Sequence, residues 1–252
     1  MKLKIRNILV SQPAPSDFEK SPYAEIARKF CVNFTFKQLI QIEGIQAKEF
    51  RKDRINILDY TAIIFTSKNA VDHFFRICKE LRVEVPETMK YFSISESTAY
   101  YLQKYVQFRK RKIFHSRENF SLLVELIKKH KNEKFLLPCS DVHKQDVPMM
   151  LEESKVVYKK AIIYRTLASD MSDTDITKFD MLVLFSPAGI KSLFKNYPDF
   201  KQGHTVIAAL GPSVSKAIKD ANLRLDIEAP TKEAPSITSA IEQFLTRENK
   251  KK

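Results

Sequence analysis

Glycine is scarce, with only Gly44, Gly189, Gly203 and Gly211 in 252 residues. A phosphate-cradling loop or a dinucleotide fingerprint needs several glycines within one strand-to-helix turn. Without them, nicotinamide, flavin and nucleotide chemistry are all disfavoured. Cysteine is equally sparse: Cys31, Cys78 and Cys139 lie far apart and lack the close pairs of a zinc site or a disulfide framework. They are expected to be small buried hydrophobes, and no metal or other cofactor is expected. No window approaches eighteen uncharged apolar residues, so no membrane span is expected. The opening Met1-Lys2-Leu3-Lys4-Ile5-Arg6 leads into a strand-like segment and not into the apolar stretch of a signal peptide. The expected location is therefore cytoplasmic.

Basic charge is in excess. Forty-three Lys and Arg against 30 Asp and Glu give a formal charge of +13, which points to a polyanionic partner: nucleic acid, membrane surface or a metabolite with many carboxylates. The basic runs at 109–112 and 250–252 read as solvated surface, because neither has the interleaved aromatics of a base-stacking platform. Nucleic acid and membrane are accordingly not the expected partners. With 44% apolar residues, the chain can bury one large core or two small ones.

Short β-branched runs alternate with segments of helical period along the whole chain. Strands are expected near 7–10, 32–36, 62–65, 91–94, 112–114, 134–137, 181–184, 205–208 and 224–227. Helices are expected near 22–30, 70–81, 98–105, 120–130, 188–196, 213–221 and 236–245. Such alternation implies an α/β fold of parallel sheets flanked by helices. Two extended stretches, near 36–43 and 155–165, carry no helix. They suggest a discontinuous outer domain of residues 1–40 plus 166–252, a central inserted domain of residues 44–162, and a two-stranded linker. A ligand would then lie in a cleft between domains.

Hydroxyl residues gather where strands give way to helices: Ser11, Thr66-Ser67, Ser95, Ser97-Thr98, Ser116, Ser186 and Ser213. Ligands of parallel sheets bind at the carboxyl ends of strands, and helix starts offer unpaired N–H groups to anions. Any single serine here is accounted for as a helix cap worth about 1 kcal/mol. Only the repetition of the pattern, beside a basic excess, favours a many-carboxylate ligand. His115 and His143 belong to no triad or metal pair and read as surface or capping residues. His73 is placed at the core edge, and His130 toward solvent.

Several segments, in order, resemble the uroporphyrinogen-III synthase family. Ile64-Phe65-Thr66-Ser67-Lys68-Asn69-Ala70-Val71 looks like its central-domain strand-to-helix signature, and Phe185-Ser186-Pro187-Ala188-Gly189 like the counterpart in the other domain. Ala208-Ala209-Leu210-Gly211-Pro212-Ser213 resembles its Gly-Pro-hydroxyl turn, and Ile163-Tyr164-Arg165-Thr166 its returning linker. Ser97-Thr98-Ala99 and Leu137-Pro138-Cys139-Ser140, with Lys144 downstream, are weaker matches. The resemblance implies a cofactor-independent lyase that cyclises hydroxymethylbilane and inverts its last ring; a monomer is the default expectation. It implies Tyr164 as a catalytic hydrogen-bond donor, although a linker tyrosine packed on the opposite strand accounts for the residue equally well. Ser67, Lys68, Thr98, Ser116, Ser140, Lys144, Ser186 and Ser213 would bind substrate. Gln12, Ser95, Lys144 and Val214 depart from common family residues. A non-catalytic tetrapyrrole- or anion-binding module with the same fold is the alternative.

Overall fold

The computed structural model describes residues 4–117, 120–141 and 146–250. Its elements follow in the order β1 (Asn7–Val10), α1 (Pro22–Phe30), β2 (Asn33–Phe36), β3 (Ile40–Gly44), α2 (Ala47–Phe50), β4 (Ala62–Phe65), α3 (Lys68–Leu81), β5 (Lys90–Ser93), α4 (Glu96–Tyr101), β6 (Ile113–His115), α5 (Phe120–Lys128), β7 (Phe135–Ser140), α6 (Asp146–Glu153), β8 (Tyr158–Ala168), β9 (Met181–Leu184), α7 (Pro187–Asn196), β10 (Val206–Leu210), α8 (Pro212–Asp220), β11 (Ile227–Ala229) and α9 (Ile237–Lys250). No helix among the described residues is long and apolar enough to cross a membrane.

The chain divides into two compact units, one running to Gln41 and resuming at Leu167, the other spanning Ile42–Thr166. In the first, five parallel strands lie in the order β11-β10-β9-β1-β2. Both faces are covered, so the strands read as continuous apolar runs. Ile8 and Val10 of β1 join Met181 and Val183 of β9 in a core capped by Ile26 of α1 and Ile241 of α9. The alternate residues Leu9, Leu182 and Leu184 turn to Ile190 and Leu193 of α7 and Ile218 of α8.

The second unit is built around a sheet ordered β3-β8-β7-β4-β5-β6. Its consecutive pairs from β8 to β6 are parallel. Ile63 and Phe65 of β4 pack with Val71, Phe74 and Ile77 of α3. Ala62 and Ile64 pack on the other face with Leu123 and Ile127 of α5. The period of two in the strands thus sends alternate side chains to opposite helix layers. The extended segments expected near 36–43 and 155–165 contain β3 and β8, and β8 continues to Ala168.

Several expectations need correction. Cys78 and Cys139 are buried, but Cys31 is exposed, because it ends α1 in the left-handed conformation (φ 53°) and its side chain turns outward. The His130 ring is half-buried, 4.6 Å from that of Phe114 and 5.3 Å from that of Phe92, where full exposure is expected from the sequence. Helix α5 stops at Lys128, and the following turn folds His130 back as its N–H bonds Ile127 O at 2.8 Å. His115 is half-buried, and its Nδ1 has no hydrogen-bond partner among the described residues. Its β-ladder partner Ser93, fully buried, has an Oγ in the same condition. Helices α2 and α6 lie outside the helical stretches named from the sequence.

Candidate active site

The carboxyl ends of the second unit's parallel strands bring several of the expected residues to one edge. Strand β4 ends at Phe65; Thr66 and Ser67 follow, and Ser67 caps α3 by accepting from Ala70 N at 3.1 Å. Lys68, the first helical residue, is exposed, with Nζ 5.5 Å from the Tyr101 ring centroid. On β7, Ser140 is the ladder partner of Tyr164 on β8. Ser140 Oγ donates to Asp141 Oδ1 at 2.8 Å and lies 3.2 Å from Thr166 Oγ1.

Tyr164 joins these turns. Its hydroxyl lies 3.4 Å from Ser67 Oγ, and its ring stacks on His73 at 5.1 Å with a 22° interplanar angle. The residue is only 8% exposed. Burial pushes the phenol above its ordinary value, Cys139 and Asp141 push the same way, and only the Ser67 hydrogen bond opposes them. The hydroxyl therefore stays protonated through the neutral range and is a donor there.

His73 is held below its ordinary value by burial and by the neighbouring Arg76, against the pull of Asp72. Arg76 Nε donates to His73 Nδ1 at 3.2 Å, so the neutral ring carries its proton on Nε2. Stability follows from the sign of this shift. Below about pH 6.5 the unfolded chain takes up a proton that the folded one resists, so stability falls as pH drops through that window. His130, lowered by burial and by Lys90, acts in the same direction. Thermal unfolding measured from pH 8 to pH 5 is expected to show a falling Tm, and His73→Phe to make the fall shallower. A wild-type Tm independent of pH over that range would contradict it.

Other expected residues are engaged differently. Thr98 is 4% exposed, and its Oγ1 lies 3.0 Å from Ser95 Oγ, the cap of α4. Ser116, 5% exposed, donates to Ile94 O at 2.7 Å. Lys144, with the neighbouring His143, lies outside the described residues. In the first unit Ser186 follows β9 and caps α7 by accepting from Gly189 N at 3.1 Å. Ser213 is exposed on the first turn of α8, after Gly211 at φ 94° and Pro212. That backbone angle suits glycine. Sequence reasoning missed Arg76, Gly44 and Asp141. The one available signal was His73 and Arg76 standing three apart on a helix capped by Ser67.

The family model described as "Uroporphyrinogen-III synthase HemD" matches residues 21–239. The chain belongs to the uroporphyrinogen-III synthase family. A solved structure of uroporphyrinogen-III synthetase from Helicobacter pylori is similar with a TM-score of 0.61 at 16% identity, covering 96% of this chain and 100% of that one. A mutant uroporphyrinogen III synthase from the extremely thermophilic bacterium Thermus thermophilus gives a TM-score of 0.60 at 14% identity, covering 98% and 100%. These identities carry the fold alone. No curated protein matches the chain in sequence.

Proposed function

We propose that this family member is a uroporphyrinogen-III synthase, a cyclising hydro-lyase of haem biosynthesis that converts hydroxymethylbilane to uroporphyrinogen III. The observation that carries the proposal is the Tyr164 hydroxyl, kept protonated by burial and set against the Ser67 cap of α3 at the carboxyl edge of the sheet. The C–O bond of the terminal hydroxymethyl group breaks, and a pyrrole nitrogen lone pair supplies the electrons. The departing hydroxyl takes a proton and leaves as water, with Tyr164 assisting as a hydrogen-bond donor, and the pyrrole N–H gives up a proton, so that the net loss is one water. The resulting azafulvene closes through a spiro intermediate that turns ring D around. Since the pyrroles provide both nucleophile and electron push, the protein's main contribution is to hold reacting carbons close. No cofactor is required.

Substrate carboxylates are assigned to the helix-start turns, at Ser67 and Lys68 in the second unit and at Ser186 and Ser213 in the first. Lys144, Ser140, Thr98 and Ser116 are kept as substrate-binding residues of the second unit. For the last two, whose hydroxyls are buried and engaged, the contribution is to shape their turns. We place the enzyme in the cytoplasm as a monomer, with no nucleic-acid or membrane partner.

The test is to supply purified protein with hydroxymethylbilane generated in situ and to separate the product isomers. Type III product is expected. Type I product alone, at the spontaneous rate, would reject the enzyme and leave a tetrapyrrole-binding module.

A further inference from the structure

Arg76 lies on α3 away from the strand-to-helix turns, yet every nitrogen of its guanidinium is committed. Nε donates to His73 Nδ1 at 3.2 Å. Nη1 pairs with Glu80. Nη2 donates to Ile45 O at 2.7 Å and to Ile163 O at 3.2 Å. The Ile163 carbonyl also accepts from Ile45 N at 3.0 Å, so the peptide leading into Tyr164 is fixed by two donors. The His73 ring that Arg76 holds is the one stacked on Tyr164. Arg76 therefore grips Tyr164 at two points, through the backbone before it and through the face of its ring.

Gly44 completes the arrangement. A Cβ there would stand 2.7 Å from Cζ, Nε and Nη2 of Arg76, so any larger residue must push the guanidinium aside, and its φ lies outside the left-handed range. The planar fork of arginine can meet a ring nitrogen, a carboxylate and two carbonyls at once. A lysine ammonium in its place is a compact point charge and cannot span them.

We propose that Arg76, seated on Gly44, is a positioning residue that sets the Tyr164 hydroxyl through His73 and the Ile163 carbonyl. Its role in turnover rests on the donor function proposed for Tyr164. Arg76 itself touches no reacting atom.

The test combines a kinetic cycle with a readout that needs no turnover. Arg76→Lys and Gly44→Ala are made singly and each together with Tyr164→Phe. Gly44→Ala leaves Arg76 chemically intact and only displaces its guanidinium, so it decides the matter if Arg76→Lys folds poorly. Each single variant is expected to lower kcat about 10-fold with KM within about twofold, because misplacing a reacting group costs rate and leaves ground-state binding intact. In the Tyr164→Phe background neither is expected to lower kcat further, since residues acting as one unit are non-additive. The same penalty in both backgrounds would overturn the proposal. Protein labelled with 3-fluorotyrosine gives the second readout, with the Tyr164 resonance assigned as the one missing from Tyr164→Phe. Both variants are expected to shift or broaden that resonance, and an unmoved signal would overturn the proposal. Should the wild-type protein form no type III product, the synthase reading fails, while the fluorine signal still decides whether Arg76 positions Tyr164.

Discussion

Tyr164→Phe is expected to lower kcat for type III product about 100-fold, the low end of what a positioned proton donor contributes, with KM nearly unchanged. Phenylalanine keeps the ring and its stack on His73 and removes only the hydroxyl bonded to Ser67. An interaction made only in the transition state is lost in kcat and kcat/KM together. The fraction of type I product should rise, because bilane that leaves unreacted closes spontaneously in solution. Stability should change by no more than about 1 kcal/mol, the net value of one hydrogen bond. The donor must be protonated, and burial raises its pKa, so Tyr164 should impose no alkaline limb on wild-type kcat below about pH 10. Wild-type turnover in the variant would eliminate the donor and leave Tyr164 as a packing residue of β8.

The largest effect on stability is expected from Phe92→Ala. The ring is fully buried on β5, with ring centroids of Phe114, Phe135 and His130 at 4.8, 5.3 and 5.3 Å. Emptying such a site costs about 3–5 kcal/mol in lost transfer energy and residual cavity. Against a total stability of about 5–15 kcal/mol, that removes a large part of the margin. Urea unfolding should register it as a lower midpoint. A loss under about 1 kcal/mol would mean that the aromatic cluster between β5, β6, β7 and His130 does not exist.

The elements most legible in the sequence are those whose chemistry is local. The runs 62–65 and 181–184 are apolar at every position because helices cover both sheet faces, and a four-residue apolar run with helical segments on either side allows little else. Helix α1 is readable from Ser21-Pro22 at its start. Helix α3 starts before its apolar period does, at polar Lys68, so periodicity places its start late. Helix α2 is four residues long, too short for a period to register, and α6 carries Pro148 within it. In the site, the hydroxyl turns are visible because caps sit beside the helices they start. The Arg76 hub was not, because its two carbonyl partners come from elsewhere in the chain: Ile45 is 31 positions away and Ile163 is 87. Within α3 the only local hint is the spacing of His73, Arg76 and Glu80, which a solvated basic residue shows equally well.

The first unit cannot close early during synthesis. Its strand β1 is an interior strand, flanked by β2 and β9, and the N–H of Asn7 bonds Asp180, 173 positions downstream. On a ribosome adding roughly 5–20 residues per second, β1 waits on the order of ten to thirty seconds for its second neighbour. Over that interval the unit spanning Ile42–Thr166 emerges complete and is free to fold, while Ile8, Leu9 and Val10 remain uncovered on one edge. Nascent-chain stalls just before and just after β9 would thus differ sharply in how readily a chaperone or protease engages the amino-terminal forty residues.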